Sequence, residues 1–129
     1  MENANQVPDW AAIPTLDRQV LDELRQYSDD EQDLVQDLIT LFLQDSPAQL
    51  IALQSALRNA DANEAEHRSH RLKGSAGSIG AIRLREICQH IEESARRGAI
   101  DEGIRMEPAI TDELGTLKAE LQQIAGGTT

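Results

Sequence analysis

The chain has 129 residues, with 12 Lys and Arg against 23 Asp and Glu and a formal net charge of −11. That length holds one domain around a single core, and that charge repels phosphate backbones, so sequence-independent nucleic-acid binding is excluded. No apolar run approaches the ~20 residues of a membrane span, and the opening MENANQVPDW is not a basic, apolar leader. Cys88 is the single cysteine and has no internal disulfide partner, which fits a reducing cytoplasm. Trp10, Tyr27 and Phe42 are the only aromatic residues. The core must therefore be aliphatic, and packed helices suit that better than a sandwich or barrel.

In chain order, residues 1–15 lack periodicity and 125–129 read AGGTT, so both are expected to be flexible tails around one domain at 16–124. Leu16, Val20, Leu24 and Tyr27 mark a short amphipathic helix. From Asp30 onward, Leu34, Val35, Leu38, Leu41 and Phe42 form a broad apolar face. Ser46-Pro47-Ala48-Gln49 is a capping pattern with proline at the first helical position, which predicts a kink or restart before Leu50, Leu53 and Leu57. Asp61, followed three residues later by Glu64, caps the next helix. Its stripe is Ala62, Ala65, Ser69, Leu72, Ala76 and Ile79, and Gly80 ends it. Ala81, Leu84, Cys88, Ile91 and Ala95 repeat the rhythm up to Arg96-Arg97-Gly98, where cations face the negative end of the helix dipole. Asp101 is expected to cap a last helix carrying Ile110, Leu114, Leu117, Leu121 and Ile124, with Pro108 kinking its first half. These elements predict an all-α, antiparallel four-helix bundle with a short additional N-terminal helix.

One helix departs from this economy. At 100° per residue, His70 points roughly 130° away from the small apolar stripe between Ala65 and Ala76, into solvent. Lys73, Gly74 and Gly77 lie on the same side. Glycine inside a helix costs about 1 kcal/mol relative to alanine. Two glycines beside an exposed histidine leave a bare surface that a partner can approach closely. Between His67 and Arg85 there is no acid, while Arg68, Arg71, Lys73, Arg83 and Arg85 are basic. Such an island on an acidic protein favours a negative group at its centre.

The stretch His70-Arg71-Leu72-Lys73-Gly74-Ser75-Ala76, followed by Ile79-Gly80-Ala81, resembles the motif of histidine-containing phosphotransfer (HPt) domains. The resemblance covers most of 16–124, with Phe42-Leu43 and Pro47 upstream and Cys88, Glu92 and Ala95 downstream. It implies a four-helix bundle that carries a phosphoryl group between aspartates of receiver domains, those of a hybrid sensor kinase and of a response regulator. It places the phosphorylated nucleophile on His70, the phosphoryl-stabilising cation on Lys73 and the clearance glycine on Gly74, and Arg71 and Gly77 join Gly74 as candidate partner contacts. The Mg²⁺ of the reaction is expected on the receiver, so this chain needs no cofactor or metal of its own. Ser69 departs from the alanine frequent before the histidine, at a small, core-facing position.

A carrier and not a kinase is expected, because no phosphate-cradling glycine loop follows a strand. A monomer is expected as well. The competing function is a non-catalytic helical adaptor, which would need an apolar groove but neither His70 nor Gly74. His67 and His70, with Glu64 and Glu66 nearby, make a surface metal site conceivable, yet only two imidazoles converge. His90 reads as a rim residue and Cys88 as a small core residue. Ser75 and Ser78 should bond nearby carbonyls of their own helix.

Overall fold

Aspartates open three of the helices. Asp17, Asp33 and Asp61 hold extended backbone, and each side chain accepts a hydrogen bond from an N–H that the helix leaves unpaired, at Gln19, Gln36 and Glu64 respectively. In the computed structural model, which describes residues 9–29 and 33–126, a 3₁₀ turn at Trp10–Ala12 precedes six α-helices. These are α1 (Arg18–Arg25), α2 (Leu34–Arg58), α3 (Ala62–Ser78), α4 (Ile82–Arg96), α5 (Ile100–Ile104) and α6 (Glu107–Gly126). All regular structure among the described residues is helical. Asp30, where the second helix was expected to begin, lies outside the described residues.

Short links at 59–61 and 79–81 make α2, α3 and α4 antiparallel neighbours, and α6 closes the bundle against α2 and α4. Ile39, Leu53 and Leu57 of α2 meet Leu72 of α3, Leu84, Ile87 and Ile91 of α4, and Ile110, Leu117 and Leu121 of α6, all buried. Ala65, Ser69 and Ala76 are fully buried on α3. Their small side chains let α3 lie close to α4, and these two helices share the most extensive contact in the fold. The pair carries the candidate site.

Three expectations are corrected. The helix does not restart at Ser46-Pro47: α2 is one unbroken element of 25 residues, with Pro47 inside it. The proline removes one N–H bond, but buried residues on both sides of it, Phe42 and Leu53, hold the helix in place. The last helix is split. Asp101 lies within the first turn of the short α5 and caps nothing, while Pro108 stands in the first turn of α6, where a missing N–H costs no helical bond. The expected tails are also shorter where the structure describes them. Arg83 Nε donates to Ile13 O at 2.6 Å and Trp10 packs edge-on against His90, while Ala125 and Gly126 continue α6.

Gly80 joins the α3–α4 corner to the start of α1. Its φ of +76° lies in the left-handed region, and its carbonyl accepts from Asp17 N at 2.7 Å. A Cβ there would stand 2.7 Å from Asp17 O, a backbone atom that cannot swing away. Gly80→Ala should therefore cost about 2–4 kcal/mol, combining left-handed strain with the clash. Urea denaturation measures it, and a loss below ~0.5 kcal/mol would show that the corner relaxes freely.

Candidate functional site

His70 stands on the outer side of α3, and its side chain keeps 66% of its surface exposed. The ring is nevertheless fixed. Nδ1 lies 2.7 Å from Glu92 Oε2 on α4, and Nε2 has no partner among the described residues. Glu92 is the centre of the site: its carboxylate is 3% exposed and also takes hydrogen bonds from Lys73 Nζ on Oε1 and from Arg96 Nη2 on Oε2, the latter at 3.1 Å. Lys73 Nζ donates further to Gln89 Oε1 at 2.9 Å, and Arg96 Nε donates to Glu66 Oε2 at 3.3 Å. Three cationic or cation-forming side chains thus surround one buried acid.

The electrostatics follow from that geometry. Burial pushes the Glu92 carboxyl up, but hydrogen bonds and charge from Lys73 and His70 outweigh it and hold the group below the ordinary carboxylate range. An ionised carboxylate only accepts, so the His70 Nδ1 carries the hydrogen and donates it. Nε2 then carries the free lone pair, outward, on a ring that cannot turn away. Because its folded pKa is depressed, Glu92 stabilises the fold above the ordinary carboxylate range, and this stabilisation disappears as pH falls through the folded value. Glu92→Gln should cost about 1–3 kcal/mol at pH 7, since an amide cannot accept from all three donors. The gap to the parent should close in acid. A gap that stays constant from pH 7 to pH 3 in urea titrations would rule out ionised Glu92 as its source.

Around this centre the other candidates separate. Gly74 is exposed, and a Cβ placed on it would meet nothing within 4 Å. Gly77 instead turns toward α4, where its Cβ would lie 3.8 Å from Arg85 Cδ. Arg71 is exposed and makes no ion pair among the described residues, whereas Arg68 is held by Glu64 at 2.6 Å. The basic island is not continuous: Arg83 faces away, bonded to Ile13 O and Glu113. Beside Gly74, Leu38, Leu41 and Phe42 of α2 and Ser75, Ser78 and Ile79 of α3 line a shallow groove, with Leu41 53% exposed.

His67 is exposed on the other flank, and no three metal-ligating side chains converge among the described residues. Ser75 and Ser78 donate to carbonyls of their own helix, Arg71 O and Ser75 O among them. Cys88 is buried, and desolvation with the neighbouring Glu92 raises its thiol pKa against the pull of Lys73, so it stays protonated. His90 meets Trp10 and lies apart from the site. The role of Glu92 escaped the sequence pattern, although a signal was present. Glu92 follows Cys88 by four residues and precedes Ala95 by three, which puts an acid on the buried stripe of α4.

Comparison with known proteins finds relatives over most of the chain. The Hpt domain family matches residues 37–127. The crystal structure of histidine-containing phosphotransfer protein B from Pseudomonas aeruginosa PAO1 superposes with a TM-score of 0.81 at 30% identity, over 91% of this chain and 99% of that one. Histidine-containing phosphotransfer protein 4 of Arabidopsis thaliana is 29% identical over 83% of this chain and 86% of its own length. Pseudo histidine-containing phosphotransfer protein 1 of Oryza sativa subsp. japonica is 29% identical over 68% of this chain, which spans only 48% of that protein. Because a relative named as a pseudo form matches as well, overall likeness is weaker support for transfer than the built site. That site has an exposed imidazole clamped by a buried carboxylate, in a helical bundle matched over nearly its whole length. The chain belongs to the Hpt domain family, with a histidine phosphotransfer role in two-component phosphorelays.

Proposed function

We propose that His70 Nε2 accepts a phosphoryl group from the aspartyl phosphate of one receiver domain, in a hybrid sensor kinase, and passes it to the aspartate of another, in a response regulator. The observation that carries this is the His70–Glu92 contact at 2.7 Å beneath a ring that is 66% exposed. The Nε2 lone pair attacks phosphorus, the N–P bond forms, and the P–O bond to the aspartate breaks with its electron pair leaving on the carboxylate. Charge that develops on the ring is offset through Nδ1–H by Glu92, and Lys73 supplies a cation one turn away for the phosphoryl oxygens. Reversal of the same step onto the second aspartate restores the neutral ring.

The receiver docks over bare Gly74, with the groove of Leu41 and Phe42 on one side and the unpaired Arg71 available to its acidic surface. Magnesium belongs to the receiver in this scheme, where it neutralises phosphoryl charge when bound. The chain acts as a monomeric carrier in the cytoplasm and has no ATP-dependent kinase activity of its own. Incubation with a receiver domain carrying a radiolabelled aspartyl phosphate tests the scheme. Label should move to this chain and prove stable in base and labile in acid. Label that stays on the receiver, or arrives in a base-labile form, overturns it.

A further inference from the structure

Lys73 meets a phosphoryl group with only part of its donor capacity. Its ammonium has three N–H donors, and two already point to α4, at Glu92 Oε1 and Gln89 Oε1. Its side chain is 23% exposed, so it lies along the α3–α4 seam and does not extend into solvent. Gln89 is itself aimed. Its amide nitrogen donates to Glu93 Oε1 at 2.6 Å, one turn further along α4. A carboxylate only accepts and an ammonium only donates, so Glu93 and Lys73 together fix which end of the amide faces which group. A flipped amide would set its NH₂ against the ammonium and its carbonyl against the carboxylate. Glu93, Gln89, Lys73, Glu92 and His70 therefore form one oriented chain of hydrogen bonds across the seam.

We propose that Gln89 is a positioning residue: aimed by Glu93, it holds Lys73 toward α4 and thereby limits the lifetime of the phosphohistidine on His70. This rests on the phosphotransfer scheme above and adds to it the group that sets how long the carrier stays loaded. Loss of the phosphoryl group to water breaks the N–P bond, forms a P–O bond to the water oxygen, and returns a proton to the imidazole. The transition state for that step is loose, with less charge on the peripheral oxygens than the loaded ground state has. A cation on those oxygens therefore stabilises the loaded state more than the transition state. The Gln89 carbonyl competes for the same ammonium and weakens that stabilisation. A carrier held this way releases its cargo readily, while Glu92 keeps Lys73 within reach.

The full-length chain is loaded with phosphoramidate, and the half-life of the acid-labile label is followed at pH 8 in the parent, Gln89→Leu and Gln89→Glu. Gln89 is only partly buried, so both variants should fold, which circular dichroism checks. Leucine removes the competing carbonyl, and the half-life should lengthen about three-fold, the worth of one hydrogen bond to a charged donor shared between two acceptors. Glutamate restores an acceptor and adds charge, so its half-life should be no longer than the parent's. A purely structural role for Gln89 would move both variants in one direction. In a Lys73→Ala background the leucine effect should vanish, because Gln89 acts through that ammonium. A leucine variant at or below the parent value, equal shifts for both variants, or a leucine effect that survives Lys73→Ala overturns the proposal. Absence of label on His70 in the parent overturns the phosphotransfer scheme and this inference with it. Normal loading with an unchanged leucine variant overturns the inference alone.

Discussion

His70→Gln is expected to take up no phosphoryl group, from a receiver or from a small donor, while keeping the helical content of the parent. Loss is complete because the reacting atom is removed: a glutamine amide nitrogen has no available lone pair to attack phosphorus. The fold survives because the side chain is 66% exposed and fills no part of the core. Glutamine can still donate to Glu92, so the cost of the lost Nδ1 contact stays at about 1 kcal/mol. His67→Gln provides the contrast. His67 is exposed one turn before His70 and has no bond to Glu92 among the described residues, so uptake should be nearly unchanged. The checks are autoradiography for label and circular dichroism for fold. If His67→Gln abolished labelling and His70→Gln did not, the nucleophile would be misassigned.

What the sequence made legible, and what it hid, divides along the range of the interactions. Helix content, most of the core stripes and the outward side of His70 follow from periodicity within one helix and are found in the structure. Tyr27 and Leu41, expected on those stripes, are instead exposed, and Tyr27 lies beyond the end of α1. The cap at Asp61 is equally local, and so are those at Asp17 and Asp33, which only the structure identifies. At Pro47 the restart that the local signal allows does not occur, because tertiary burial on both sides of the proline keeps the helix continuous. Arg83 was grouped with the basic island because it is near in sequence, but α4 turns it toward Ile13 and Glu113. Glu92 is the clearest case. Arg96 is one turn away on the same helix, but His70 and Lys73 are 22 and 19 residues away, and only the packing of α3 on α4 brings them to it. Pairing across helices sets the tautomer of the nucleophile, and no pattern within α3 contains that.

Gly74 separates docking from chemistry, and its substitution should do the same in experiment. Gly74 is exposed in mid-helix, and an added Cβ meets nothing, so Gly74→Ala should stabilise the isolated chain by up to ~1 kcal/mol. Gly74→Gln should also fold, because its longer side chain projects into open space and opens no cavity. Both changes place atoms one turn from His70, on the bare surface between the ring and the α2–α3 groove. In-line transfer needs the donor phosphorus within contact of Nε2, and misplacement by about 1 Å can cost ~100-fold. Transfer between proteins should therefore fall for alanine and fall much further, by ~100-fold, for glutamine. Phosphoramidate needs no docked protein, so labelling of His70 by it should persist in both variants. Stopped-flow transfer, small-donor labelling and urea denaturation on the same two variants test these outcomes together. Unfolding of the glutamine variant would show that Gly74 serves packing after all. Full transfer by a folded glutamine variant would move the docking surface away from this side of α3, leaving the glycine without a part in the exchange.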